Sequence, residues 1–96
     1  EQQMLAIGRA LVTNPTLLMM DEPSEGLSRH VIQRVDQVCR HLIQRGLAIL
    51  LIEQNLEMAQ SLADRAYVFV NGRVAYEASG DTFREDRDTV GNYLGI

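Results

Sequence analysis

The order of apolar runs and turn signals predicts an α/β fold, a layered sheet of parallel strands and helices that ends in an antiparallel hairpin. Three observations carry this. Leu17–Met20 and Leu47–Ile52 are short, unbroken apolar runs of the kind buried parallel strands show. Between them, Val31, Val35, Val38 and Leu42 recur at helical spacing, so a helix connects two strands. Further on, Asn71-Gly72 sits between Ala66–Val70 and Arg73–Ala78, and that dipeptide favours positive φ at both turn centres.

Each element has a local reason. Met4, Ile7, Ala10 and Leu11, flanked by Leu5, form a helical stripe over residues 2–12, and Pro15 stops the helix. The first strand follows and ends in two carboxylates, Asp21 and Glu22. Pro23 has no N–H for a ladder and biases Glu22 towards an extended or turn conformation. The second helix is expected from about Arg29 to Arg45, with Ile32, Cys39 and Ile43 widening its stripe and Gly46 as its C-terminal stop. The run 47–52 is expected to be a strand covered on both faces. A third helix over 56–63 turns Leu56, Ala59, Leu62 and Ala63 inward. After the hairpin, residues 81–96 read as short helical pieces anchored by Phe83, Val90, Tyr93 and Leu94.

Composition excludes several functions. The chain has 96 residues and a net charge of −4; its nine basic residues are all arginine and are scattered without a basic run. That balance argues against a nucleic-acid surface. No apolar run approaches the roughly 18 residues needed to span a bilayer. Cys39 has no disulfide partner and sits on an apolar helical face, which reads as a buried, inert thiol in a reducing compartment. His30 and His41 lack metal-ligand spacing and read as lying on a solvated or partner-facing surface. Met19 and Met20 read as core fillers.

The chemistry concentrates at the end of the first strand. Paired carboxylates at the C-terminal edge of a buried strand lie where open α/β sheets bind ligands. The segments Glu1-Gln2-Gln3-Met4-Leu5-Ala6-Ile7-Gly8-Arg9-Ala10-Leu11-Val12, Leu17–Glu22 and Glu25-Gly26-Leu27-Ser28 resemble, in that order, the signature helix, the Walker B strand with its catalytic glutamate, and the D-loop of ABC-type ATPases. The resemblance covers the whole chain, with the signature helix over 1–13, Walker B and D-loop over 17–28, the switch region over 53–55 and the hairpin and tail over 66–96. It implies a P-loop NTPase-type sheet and identifies residues 1–96 as the C-terminal part of one ATPase domain. The chain starts at Glu1 with no initiator methionine. Without a lysine it cannot build the phosphate-gripping G-x-x-x-x-G-K-[ST] loop, so it is expected to be inactive alone.

A finer resemblance, to the ATPases of importers for branched-chain amino acids and related amides such as urea, rests on three places. These are Gln2–Leu11, Leu50-Leu51-Ile52-Glu53-Gln54-Asn55 and the ending Tyr93-Leu94-Gly95. Gln54 stands where most ABC ATPases carry His, a departure the branched-chain group often shares. Ser28 stands where many D-loops have Asp, and Glu25 is charged where small or apolar residues are frequent.

The resemblance implies ATP and Mg2+ as cofactors, with Asp21 at the metal and Glu22 orienting the attacking water. It implies Gln54 as a γ-phosphate sensor, since a carboxamide can donate to phosphate and accept from water but cannot shuttle a proton. Glu1, at the N-terminus of the first helix, Gly26 and Ser28 are candidate nucleotide contacts. Gly26 and Leu27 are equally suited to shaping a helix lead-in, Ser28 to capping a helix, and Glu53 to being a solvated neighbour. The implied partners are a second ATPase subunit, the same or different, and membrane-embedded permease subunits. The implied location is the cytoplasmic face of the cell membrane, reached only through those partners. Two other classes share features of this sequence: an ABC-type ATPase of DNA repair or chromosome maintenance, and a non-enzymatic interaction module.

Overall fold

The computed structural model describes residues 2–95, with side chains from residue 5 onward. Its elements follow the expected order: α1 (Gln2–Val12), β1 (Leu17–Asp21), α2 (Arg29–Gln44), β2 (Ala48–Ile52), α3 (Leu56–Leu62), β3 (Arg65–Val70), β4 (Arg73–Ser79), α4 (Gly80–Glu85) and α5 (Arg87–Leu94). The chain divides into two compact units, residues 1–58 and 59–96.

In the first unit β1 and β2 pair in parallel, with Leu17 opposite Ala48 and Asp21 opposite Ile52. Parallel neighbours need a crossover, which α2 supplies. Ser28 caps it, its side chain accepting a hydrogen bond from the Val31 N–H at 3.3 Å. At the other end Gly46 adopts φ +97, its N–H reaching the Ile43 carbonyl at 3.0 Å while Leu47 N–H reaches Leu42 at 3.1 Å. That pair of bonds is a Schellman stop, which a positive-φ residue makes possible.

Val35 and Cys39 of α2 are fully buried, and Cys39 Sγ lies 3.7 Å from Met20 Sδ. Leu18 and Met20 therefore form the covered face of β1, and strand alternation sends Leu17 and Met19 the other way. The two methionines expected to fill the core part company, Met20 being 6% exposed and Met19 66%. Nor is β2 covered on both faces, because Leu50 and Ile52 are exposed. Alternation in β2 separates them from the half-buried Ile49 and Leu51. In α1, Ile7 is buried while Leu5, expected beside the apolar stripe, is exposed.

In the second unit β3 and β4 form an antiparallel hairpin. Asn71 and Gly72 both take positive φ, +51 and +77, as the dipeptide predicts. Val68 pairs with Tyr76 but Phe69 with Val74, so Ala75 is the extra residue of a bulge. Helices α4 and α5 pack on β3. Ser79 caps α4, accepting from Thr82 N–H, and Gly95, at φ +76, ends α5.

The core of this unit holds Ala66, Val68, Ala78, Phe83 and Val90, with one buried polar residue, Gln60. Gln60 Nε2 donates to the Phe83 carbonyl at 2.9 Å, and its Oε1 accepts from Arg87 at 3.2 Å. Arg84 donates to the Gln60 and Ala63 carbonyls at 2.8 and 3.0 Å, satisfying acceptors at the end of α3. Of the expected tail anchors Phe83 and Val90 are buried, whereas Tyr93 and Leu94 are exposed. Tyr93 instead sets its ring 6.1 Å from that of Tyr76, whose hydroxyl donates to Asp86 at 2.9 Å.

Candidate functional site

The parallel register brings the exits of β1 and β2 to one edge of the sheet, since Asp21 lies opposite Ile52. Two loops leave that edge, Glu22–Ser28 after β1 and Glu53–Asn55 after β2. All site candidates within the described side chains belong to these loops or to the strand end. Glu1 lies outside the described residues.

Asp21 is the last residue of β1 and is exposed. Glu22 then turns the chain. Its N–H donates to the Ile52 carbonyl at 2.6 Å, and its φ is +48. The proline that follows Glu22 favours negative φ, so a turn in the left-handed region departs from the extended alternative. Such strained backbone at a charged residue is characteristic of functional loops. Pro23, fully buried, anchors the turn. Next come hydrogen bonds from Glu25 N–H to the Glu22 carbonyl (3.1 Å) and from Leu27 N–H to Ser24 (3.1 Å). Gly26 supplies the positive φ, +74, that closes this loop. Ser28 is engaged as the α2 cap described above.

Four carboxylates act on one another here. The charge of Glu25 above all, then partial burial and the charges of Asp21 and Glu53, raises the Glu22 carboxyl above its ordinary pKa. The side chain of Glu25 also favours the protonated form through a hydrogen bond. A bound cation would relieve this repulsion. Among the described residues no group of three or more His, Cys, Asp or Glu side chains is arranged to enclose a metal.

The residue missed by sequence reasoning is Glu53. It is half-buried, not a solvated neighbour. Its Oε1 accepts from the N–H groups of Gln54 (3.0 Å) and Asn55 (3.1 Å), and its Oε2 accepts from Ser24 N–H at 3.1 Å. Gln54 itself is exposed, with its backbone held by Glu53. Asn55 caps α3 through Oδ1, which accepts from Met58 N–H at 3.0 Å. The available signal was a carboxylate directly after a strand and before two N–H-bearing residues, a turn-forming arrangement. Cys39 is buried, and that burial, with a smaller contribution from Asp36, pushes its thiol up to about 11. Both histidines are exposed.

No protein-family model matches the chain. It is 45% identical over 95 residues to the high-affinity branched-chain amino acid transport ATP-binding protein BraG of Pseudomonas aeruginosa, covering 99% of this chain and 41% of that protein. It is 38% identical over 97 residues to the probable branched-chain amino acid transport ATP-binding protein LivF of Archaeoglobus fulgidus, again 41% of that protein. The chain thus spans about two fifths of the length of these curated relatives. Among solved structures, an ATP-binding cassette of an ABC transporter in its ADP conformation superposes with a TM-score of 0.81 at 31% identity, covering 98% of this chain and 39% of the cassette. A second cassette structure gives 0.84 at 28% identity and covers 38% of that cassette. No helix among the described residues is long and apolar enough to cross a membrane.

Proposed function

The chain belongs to the ATP-binding proteins of ABC transporters, and from that premise we propose that its complete protein hydrolyses MgATP to power import of branched-chain amino acids or similar small solutes. The observation that carries this reading is Glu22, held in a left-handed turn one residue beyond the Asp21 strand end, at the sheet edge from which the Gln54 loop also departs. The names of the relatives favour branched-chain amino acids as the solute.

Each residue then has a part. Asp21 would hold Mg2+, which would supply positive charge against the phosphates. Glu22 accepts a hydrogen bond from water and directs its lone pair in line with the γ-phosphorus. As a carboxylate it can also accept a proton as the water is deprotonated. Gln54 donates its carboxamide N–H to a γ-phosphate oxygen and reports whether that phosphate is present. Gly26 shapes the D-loop for close approach, with Ser28 anchoring it to α2. The phosphate-gripping lysine comes from sequence beyond these 96 residues, because this chain has none. Two such subunits enclose ATP between them, and their closure moves permease subunits in the membrane.

The test is Glu22→Gln in the complete protein, with light scattering in the presence and absence of ATP. A carboxamide keeps the shape and loses the proton acceptor, so ATP should bind without turnover and hold a dimer. A variant that hydrolyses ATP at the wild-type rate overturns the role of Glu22. A variant that binds ATP yet stays monomeric overturns the sandwich as an autonomous assembly of these subunits.

A further inference from the structure

We propose that Glu53 is a positioning residue that ties the Glu22 loop to the Gln54 loop and so fixes the catalytic carboxylate relative to the phosphate-sensing amide. The proposal rests on the hydrolytic reading above and adds a residue to it. Both oxygens of one carboxylate are used, and they face different loops. Oε2 takes the N–H of Ser24, 29 residues away in sequence, while Oε1 takes those of Gln54 and Asn55. Ser24 lies two residues after Glu22, across the buried Pro23. With the Glu22 N–H on the Ile52 carbonyl, the start of one loop is held by two long-range bonds, one to the end of β2 and one to the loop that follows it.

The need for a carboxylate follows from the donors. Three N–H groups converge on Glu53 and none of the three contacts supplies an acceptor. A carboxylate can accept on both oxygens, whereas a carboxamide has one acceptor oxygen and turns an NH2 group towards whatever lies on its other side. Glu53→Gln therefore preserves the size of the side chain and must release one arm, either Ser24 or the Gln54–Asn55 pair. Glu53→Asp keeps two acceptors on a shorter stem and should restore part of the connection.

The experiment uses the complete protein with Glu53→Gln, Glu53→Asp and wild type. It measures MgATP turnover as kcat and KM, together with amide hydrogen exchange at Ser24, Gln54 and Asn55. Glu53→Gln should lower kcat by about 10- to 100-fold with KM changed less than about threefold, because orientation and not binding is lost. Exchange at one arm should accelerate at least about tenfold, while amides within α2 keep their protection. Glu53→Asp should recover part of both effects. A Glu53→Gln protein with kcat within twofold of wild type, or with all three amides as protected as before, overturns the proposal. A general loss of protection including α2, with no recovery in Glu53→Asp, overturns it too, since Glu53 would then act only in folding. Absence of MgATP hydrolysis in the wild type instead overturns the function proposed above and the catalytic role with it. The exchange measurement still decides whether Glu53 joins the two loops.

Discussion

Replacing Gly80 by alanine should destabilise the second unit by about 1–5.5 kcal/mol, the balance of overpacking and lost hydrogen bonds against a small chain-entropy gain. Gly80 opens α4 directly after its Ser79 cap, and its N–H donates to the Asp64 carbonyl at 2.8 Å. A Cβ there would stand 2.1 Å from the Ala63 carbonyl oxygen, 3.0 Å from its carbon and 2.9 Å from Arg84 Nη2. The arginine tip can swing aside, but the carbonyl belongs to the backbone. Going from 2.1 Å to ordinary van der Waals contact at 3.4 Å needs relief of about 1.3 Å. A shift of that size takes the 2.8 Å bond to Asp64 and the 3.0 Å bond from Arg84 to Ala63 beyond hydrogen-bond range. Two such bonds are worth about 1–3 kcal/mol together, and overpacking adds about 1–3 kcal/mol. Alanine returns about 0.4–1 kcal/mol by restricting the unfolded chain. Urea denaturation of the complete protein, followed by hydrogen exchange in α4, reads the difference. A loss below about 0.5 kcal/mol, with α4 amides still protected, would show that the 63–64 segment yields freely and that this close approach is not a constraint.

Other predictions concern single groups. Ser28→Ala should cost about 1 kcal/mol through loss of the α2 cap, and Ser28→Asp should restore it; a change in nucleotide affinity without a change in stability would instead make Ser28 a ligand contact. The Cys39 thiol, raised by burial from 9.0 to about 11, should resist a thiol reagent at pH 8 in the native protein and react within minutes after denaturation. The same shift sets a sign. Below pH 9 the thiol is neutral in both states, and its contribution is fully present. Stability should fall as pH rises through 9 to 11, and Cys39→Ala should remove that part of the decline. Gly72→Ala should cost about 1 kcal/mol, since φ +77 is costly for a residue with a Cβ, read as a lower thermal midpoint.

Features fixed within a few residues were legible in the sequence. Asn71-Gly72, Ser28 and Gly46 each answer a local backbone demand, and each stands where that demand was expected. The parallel pair and its crossover helix followed from apolar periodicity. Legibility failed where a choice depends on partners distant in sequence. Met19 and Met20 are chemically equal, and the face covered by α2 decides which is buried. A continuous apolar run says that a strand can be covered twice; these 96 residues, about two fifths of the relatives' length, leave Leu50 and Ile52 of β2 open. Tyr93 and Leu94 passed as anchors because apolarity alone does not tell which turn of a short helix faces the hairpin. Glu53 escaped because its decisive partner is Ser24, 29 residues upstream.

The candidate site places its demands on backbone more than on side-chain packing. Asp21 and Gln54 are both exposed, so neither is held by a packed surround. What holds them is the chain on which they ride: the ladder up to Asp21, the Glu22 N–H on Ile52, and the three N–H groups gathered by Glu53. A left-handed φ at Glu22 is unfavourable by itself, and it is aggravated by the following proline. Such a conformation persists only where its surroundings over-determine it, and the hydrogen bonds on either side of the Glu22–Pro23 step supply that constraint. The exposed side chains remain open to a ligand while their backbone is fixed. This is the division of labour that the proposed function requires, in which a phosphate, a metal ion and a water are met by groups already in place.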